Sequence, residues 1–365
     1  MTLALRLPSR SNHLTLIRLV LSLLVIFSHT YSLGGFGDEM IFGGNDKYGN
    51  LGVNCFFVLS GLLIAASFVR TKNLYRFLLS RCLRIFPGYW LSLVLTALVL
   101  CPLAHWLAGG DVAEYWSPAA NSPWTYVVKN VLLKVNQTQI GELFAHNPYP
   151  HTANGVIWTL LYEFICYGFV VLVGTLGWLK QHWLWPVALA SLMGFNALIY
   201  GGIGAALPAS LGSWLALLHF LAYFVAGMMA YVYADKVRIG TLPTGLALAG
   251  LCALLVIKAP FVFYAYHVLA PPLLVLVIFG LAYSTRESAI ERNMPDLSYG
   301  LYIYGWVVQQ SLVAVGVADY GFGVFLVSCV AITALLAMAS YYGVERRFLG
   351  LKPPRAVYEA SSSEE

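Results

Sequence analysis

Charge is what this sequence has least of. Asp, Glu, Lys and Arg supply 10% of its 365 residues while hydrophobic types supply 59%, whereas a soluble domain carries roughly 25% charged residues. A water-facing surface cannot be assembled from so few charges, which excludes an ordinary soluble globular chain. Cysteine is sparse and lacks pattern: Cys55, Cys82, Cys101, Cys166, Cys252 and Cys329 are scattered, mostly in or beside apolar runs, with no Cys-x-x-Cys. That argues against a disulfide framework and a zinc site, so no metal is expected. Also missing are a Gly-x-Ser-x-Gly elbow, a Walker loop and a His-Glu-x-x-His helix, and the hydrolase and ATPase chemistries that need them lose support. The net charge of +5 comes without a nucleic-acid recognition motif. Its Lys and Arg lie between apolar runs, where membrane topology places them, so no nucleic-acid partner is expected.

What is present is a succession of apolar runs, each near the roughly 20 residues needed to cross a hydrocarbon core. They fall at about 14–33, 50–69, 85–108, 155–178, 184–201, 211–233, 242–257, 262–283, 297–317 and 321–343. The expected fold is all-α: a polytopic membrane protein with about ten transmembrane helices in one bundle, the lipid bilayer being its first partner. The run at 14–33 is long, contains Arg18 and His29 and has no clear cleavage site, so it reads as a retained helix rather than a signal peptide. Alternate connections differ in basic content. Arg6, Arg10, Arg18, the stretch Arg70, Lys72, Arg76, Arg81 and Arg84, then Lys180, Lys236, Arg238, Arg286, Arg292, Arg346, Arg347, Lys352 and Arg355 fall on one side; Lys47, Lys129, Lys134 and Lys258 fall on the other. The positive-inside rule then puts both termini in the cytoplasm. Residues 1–350 read as the membrane domain and 351–365 as a short polar tail, with no appended extracytoplasmic hydrolase-like domain. The longest connection, 109–154, mixes Trp, Tyr, Asn and His; its aromatics suit either stacking on sugar rings or anchoring at the bilayer interface.

Ionisable groups inside apolar runs are costly and mark functional candidates. Arg18 and His29 are eleven residues apart, about three helical turns, so they share a face about 16 Å apart along the axis. An imidazole there can act as a general base or simply be packed; Arg18 can touch a ligand or mark topology. Arg81 and Arg84 are neighbours on a helical face. Paired guanidiniums grip phosphate oxygens in bidentate fashion, although the positive-inside rule alone also accounts for them. Glu163, following Trp158 in Trp-Thr-Leu-Leu-Tyr-Glu, could orient His29, bind acceptor hydroxyls or pair with an arginine. These residues leave three classes open: an enzyme, a proton-coupled saccharide transporter and a non-catalytic lipid-binding scaffold. No inverted halves of the kind common in transporters are evident.

In order along the chain stand Ile17-Arg18-Leu19-Val20 with His29, Phe56-Phe57-Val58-Leu59-Ser60-Gly61, Arg81-x-x-Arg84-x-x-Pro87, Trp158-Thr159-Leu160-x-x-Glu163, Leu297-Ser298-Tyr299-Gly300-Leu301-Tyr302 and Tyr341-Tyr342-x-x-Glu345-Arg346. This series resembles the membrane-bound acyltransferase family 3, whose members O-acylate polysaccharides, lipopolysaccharide, peptidoglycan, Nod factors and antibiotics. The resemblance spans nearly the whole chain. It implies an acyl-CoA donor, acetyl-CoA being the commonest, on the cytoplasmic side near Arg18, Arg81 and Arg84, and His29 as the catalytic residue. Glu163 is the second catalytic candidate and Trp158 a substrate-binding one, for a carbohydrate acceptor such as a bacterial surface polysaccharide or its lipid-linked precursor. Direct attack by the acceptor and transfer through an acylated His29 both remain open. Many relatives carry a histidine shortly after the Ser-Tyr run, where this chain has Gly305.

Overall fold

The computed structural model describes residues 2–7, 12–41, 44–71, 73–117, 121–283, 285 and 288–351. Arg10, Lys72, Arg286, Lys352 and Arg355, counted above toward topology, and the tail ending in Ser361 to Glu365 lie outside the described residues. Among the described residues every regular element is helical, and backbone pairing of the β type is confined to two isolated bridges, Thr2 with Arg238 and Met40 with Lys47.

Each apolar run is helical over most of its length. We label the helices α1 Leu14–Leu33, α2 Tyr48–Arg70, α3 Leu74–Leu107, α4 Thr159–Thr175, α5 Leu184–Leu198, α6 Gly212–Val232, α7 Thr241–Val256, α8 Pro260–Ala282, α9 Ser298–Ala314 and α10 Phe322–Gly350. Six of these, α1, α2, α3, α6 with its lead-in from Ala209, α8 and α10, are each long and apolar enough to cross a membrane. A chain with that many such helices is a multi-pass membrane protein, because backbone polar groups in lipid must be satisfied within the segment.

Two boundaries differ from the hydropathy reading. Hydropathy starts the third run at 85 and leaves the basic stretch as a connection, but α3 begins at Leu74, where the Asn73 side chain caps it by accepting from the Arg76 N–H at 3.0 Å. Pro87 lies inside the helix. A hydropathy window trims charged turns from a span, and proline is tolerated in a span when neighbours re-satisfy the freed backbone. Arg81 and Arg84 are thus held on one helix, as their spacing suggested, and that helix is continuous with the third span. The fifth run likewise extends past α5 through a wide turn, Ile199–Ile203, broken at Gly202, whose φ of 105° suits glycine and no β-carbon-bearing residue without strain.

The centre of the bundle is α2, which packs on α1, α4 and, most closely, α6. A Cβ on Gly61 would lie 2.0 Å from the Phe224 carbonyl oxygen, and one on Gly227 would lie 1.9 Å from that of Val58. The two glycines let the backbones of α2 and α6 touch, which is how small residues drive helix association where lipid removes the hydrophobic incentive. The long connection is ordered onto α9. Asn154 Nδ2 donates to the Ile303 carbonyl at 2.8 Å, Gln310 Nε2 to those of Tyr149 and Thr152 at 2.7 and 2.9 Å, and Trp306 Nε1 to that of Thr152 at 3.3 Å. Side chains of α9 donating to carbonyls of the connection, with Asn154 donating in return, thus hold its described residues near 149–154 against α9.

Candidate active site

His29 stands near the C-terminal end of α1 and lines a cavity of about 340 Å³ bounded by α2, α5, α6 and the start of α4. Its imidazole meets the Trp306 ring edge to face at 4.8 Å, and its Nδ1 lies 3.7 Å from Glu39 Oε2, an ion-pair separation. Glu39 follows α1 and is buried, and its Oε2 also accepts from Ser28 Oγ at 3.0 Å. Burial alone would push the Glu39 carboxyl up, but His29, with Ser32 and Lys47, outweighs it and holds the group at about 2. Glu39 is therefore a carboxylate at neutral pH, facing one ring nitrogen of His29. Trp158, at the N-terminal boundary of α4, borders the same cavity.

A second cavity, of about 150 Å³, is lined by Arg18, Arg81, Arg84 and Glu163 together with Ser60, Tyr167 and Tyr299. Asp296, just before α9, draws two guanidiniums together: its Oδ2 is 3.0 Å from Arg84 Nη2 and 3.3 Å from Arg18 Nη2. Ser298 Oγ donates to its Oδ1 at 2.5 Å. Burial pushes the Asp296 carboxyl up, but Arg84 and Arg18 outweigh that and hold it at about 2. The Arg84 guanidinium also lies over the Tyr299 ring at 5.8 Å. Arg81 donates from Nε to Ser80 Oγ at 3.2 Å and, among the described residues, forms no ion pair, which leaves its fork for an anionic ligand.

The two cavities share Val53, Thr159 and Tyr302 as walls. Thr159 Oγ1 and the Tyr302 hydroxyl are hydrogen-bonded at 2.6 Å and form the partition between the arginine side and the histidine side.

The structure therefore brings Arg18, Arg81 and Arg84 into one cluster and places His29 and Trp158 in the adjoining cavity. Glu163 does not join His29. It borders the arginine cavity, where its Oε1 accepts from Tyr167 OH at 2.5 Å and Ser60 Oγ at 3.3 Å. The carboxylate beside His29 is Glu39, and the one that clamps the arginines is Asp296, neither of which stands out in the sequence. Both sit in connections, where an acidic residue is unremarkable; the only pointer to Asp296 is its place two residues before the Ser298-Tyr299 run.

Residues 12–342 match the family described as the acyltransferase domain. The chain belongs to acyltransferase family 3. Among curated proteins this acyltransferase is similar to an O-acetyl transferase of Shigella phage Sf6, 26% identical over 347 residues that cover 95% of this chain and 98% of the relative. It is also similar to Nodulation protein 10 of Rhizobium leguminosarum bv. viciae, 26% identical over 365 residues that cover 90% of each. No solved structure matches it.

Gly305 lies where α1 and α9 approach closely in this acyltransferase. A Cβ there would lie 2.9 Å from Ile26 Cγ1 of α1, so α1 and α9 approach too closely for an imidazole. The next residue, Trp306, supplies the ring that packs on His29 instead.

Proposed function

We propose that this acyltransferase moves an acetyl group from acetyl-CoA, presented at the cytoplasmic face, to a hydroxyl of a carbohydrate, with His29 as general base. The observation that carries the reading is the pair of adjoining cavities, one walled by three arginines and the other by His29, meeting at Thr159 and Tyr302. A volume of about 150 Å³ is below the roughly 300 Å³ at which ligand pockets begin, so the nucleotide of the donor stays at the mouth. Its phosphates pair with Arg81 and Arg84, for which a guanidinium fork is suited, and its narrow pantetheine arm passes Arg18 toward the partition.

On the far side the acceptor hydroxyl gives its proton to the His29 nitrogen that faces away from Glu39, and the Glu39 carboxylate orients the ring and stabilises the imidazolium that results. The alkoxide oxygen bonds to the thioester carbonyl carbon, the carbon–sulfur bond breaks, and the thiolate leaves and recovers the proton from His29. In the alternative order His29 is acylated first and the hydroxyl attacks that acyl group. Trp158 offers a ring for the apolar face of a sugar, and Glu163 keeps Ser60 and Tyr167 in register beneath the arginines. Acetyl as the group and oxygen as its destination are supported by the name of the Shigella phage relative. A bacterial surface polysaccharide or its lipid-linked precursor is the acceptor this reading favours.

The same reading places the protein in the bacterial inner membrane with about ten crossings and both termini cytoplasmic, residues 1–350 being the catalytic domain and 351–365 a tail. In its support, Leu3 N–H bonds to the Val237 carbonyl at 2.9 Å and His13 Nδ1 to Glu291 at 2.7 Å. These contacts gather the amino-terminal segment and two of the basic connections at one end of the bundle. Incubating the purified protein with labelled acetyl-CoA and candidate glycans tests the function. Glycan-dependent release of free CoA with label on the glycan is expected, whereas a protein that carries saccharides across vesicles and leaves the thioester intact would contradict it.

A further inference from the structure

Among the described residues, the cavity that His29 lines has no Asp, Glu, Lys or Arg on its walls, although the arginine cavity next to it has four such residues. Its polar groups are amides, imidazoles and hydroxyls. Asn196 of α5 is 1% exposed, and among the described residues neither its Nδ2 nor its Oδ1 has a hydrogen-bond partner. Asn54 of α2 is equally buried; its Oδ1 lies 3.0 Å from His219 Nε2, while its Nδ2 has no partner. Native structures leave few buried polar side chains unpaired, and each such group calls for an explanation. Here the unpaired amides border one cavity, beside the histidine proposed to do the chemistry.

The surrounding groups are fixed in place. His219 of α6 is held from its second nitrogen by the Tyr200 hydroxyl at 3.3 Å, and Tyr200 is stacked on His267 at 3.6 Å with the rings nearly parallel. An amide both donates and accepts, as does a hydroxyl, so an array of amides fits a ligand that carries several neighbouring hydroxyls. The carboxylate beside His29, Glu39, stands behind it and is engaged by it and by Ser28, so among the described residues a charged ligand would meet no counter-ion on the cavity walls, and an unpaired buried charge is strongly disfavoured.

We propose that Asn196 and Asn54, backed by His219 and Tyr200, form the recognition wall for an uncharged, polyhydroxyl acceptor, a neutral sugar unit rather than a uronic acid or an amino sugar with a free amine. This rests on the acyl-transfer reading of the same cavity. The volume of about 340 Å³ lies at the small end of ligand pockets, which run from about 300 to 1,000 Å³, so the sugar is read as one unit while the remainder of a longer glycan stays outside.

The test compares methyl α-glucoside and methyl α-rhamnoside with methyl glucuronide as acceptor probes for the purified full chain. Acetyl-CoA binding is measured separately by calorimetry. Wild type should acetylate at least one neutral glycoside and use the glucuronide at least about tenfold less well. Asn196→Leu should raise the KM for the neutral glycoside by about three- to tenfold, the loss expected for a hydrogen-bonding amide, while changing kcat and acetyl-CoA affinity much less, as for an interaction made equally in ground and transition states. Its Tm should not fall, because an apolar side chain of similar size replaces an unpaired buried amide; Asn196→Gln should recover part of the affinity. An Asn196→Leu protein with unaltered KM, or with a lower Tm as its only defect, would make Asn196 a packing residue and overturn the proposal, as would equal use of the glucuronide. A protein that binds acetyl-CoA but acetylates neither neutral glycoside contradicts this inference alone, whereas one that does not bind acetyl-CoA contradicts the acyl-transfer reading beneath it.

Discussion

At the scale of single residues, the site is organised by two carboxylates in connections, Glu39 beside His29 and Asp296 between Arg18 and Arg84. The folded pKa of each is depressed to about 2, below the roughly 4 usual for a carboxylate in an unfolded chain. A depressed carboxyl contributes stability that is fully present above the unfolded value and is lost as pH falls through the folded one. The thermal stability of the detergent-solubilised protein should therefore decline between about pH 4 and pH 2. Asp296→Asn should cost on the order of 2 kcal/mol at neutral pH and flatten the Asp296 part of that decline, leaving the part due to Glu39. Melting curves across this range check it; a variant with the wild-type acid limb would show that the clamp adds nothing to stability. Arg18, His29, Arg81 and Arg84 were legible in the sequence because a charge or imidazole in or beside an apolar run stands out against a uniform background. Glu39 and Asp296 were not, because acidic residues in connections carry no such contrast and only the fold shows what they face. Asn196 was open to notice as an amide inside an apolar run, but an uncharged side chain there draws less attention than an ionised one.

Helices were easier to read than their ends. The apolar runs recur as helices, six of them long enough to cross a membrane, because a single segment in lipid satisfies its own backbone only as a helix, so length and composition suffice to find them. The start of α3 at Leu74 escaped because its first turns carry Arg76, Arg81 and Arg84, and hydropathy discards what a helix still contains. The close seam between α2 and α6 was equally hidden, since nothing in a sequence distinguishes a glycine pressed against another backbone from one facing open space. Gly61→Ala should destabilise the fold by about 1–3 kcal/mol, the usual range for overpacking, because its Cβ meets the Phe224 carbonyl oxygen at 2.0 Å. Gly168→Ala in α4, where a Cβ meets nothing within 4 Å, is the matched control and should melt at or slightly above the wild type, since alanine is the better helix former. Equal melting of the two variants would mean that the seam yields without cost.

At the scale of the whole molecule, the account requires the two cavities to open toward opposite sides of the membrane, the arginines toward the donor and His29 toward the acceptor. The proposed polarity rests on the distribution of basic residues. A cysteine replacing Lys134 should react with an impermeant maleimide added outside intact cells, and one replacing Arg76 should react only after the membrane is opened; the reverse pattern would put the arginine cavity on the side that lacks acyl-CoA. The central claim is that His29 performs the proton transfer where the cavities meet, and it is tested most directly by acetyl transfer from labelled acetyl-CoA to glycan in wild type, His29→Ala and His29→Gln, with acetyl-CoA binding followed in parallel. Both variants should bind acetyl-CoA as wild type does, since the arginines proposed to hold it are untouched, and both should lose transfer by about a hundred- to ten-thousand-fold, the range for a general base. Near-normal transfer by a folded His29→Gln protein, which keeps hydrogen-bonding capacity but cannot take the proton, would contradict the account.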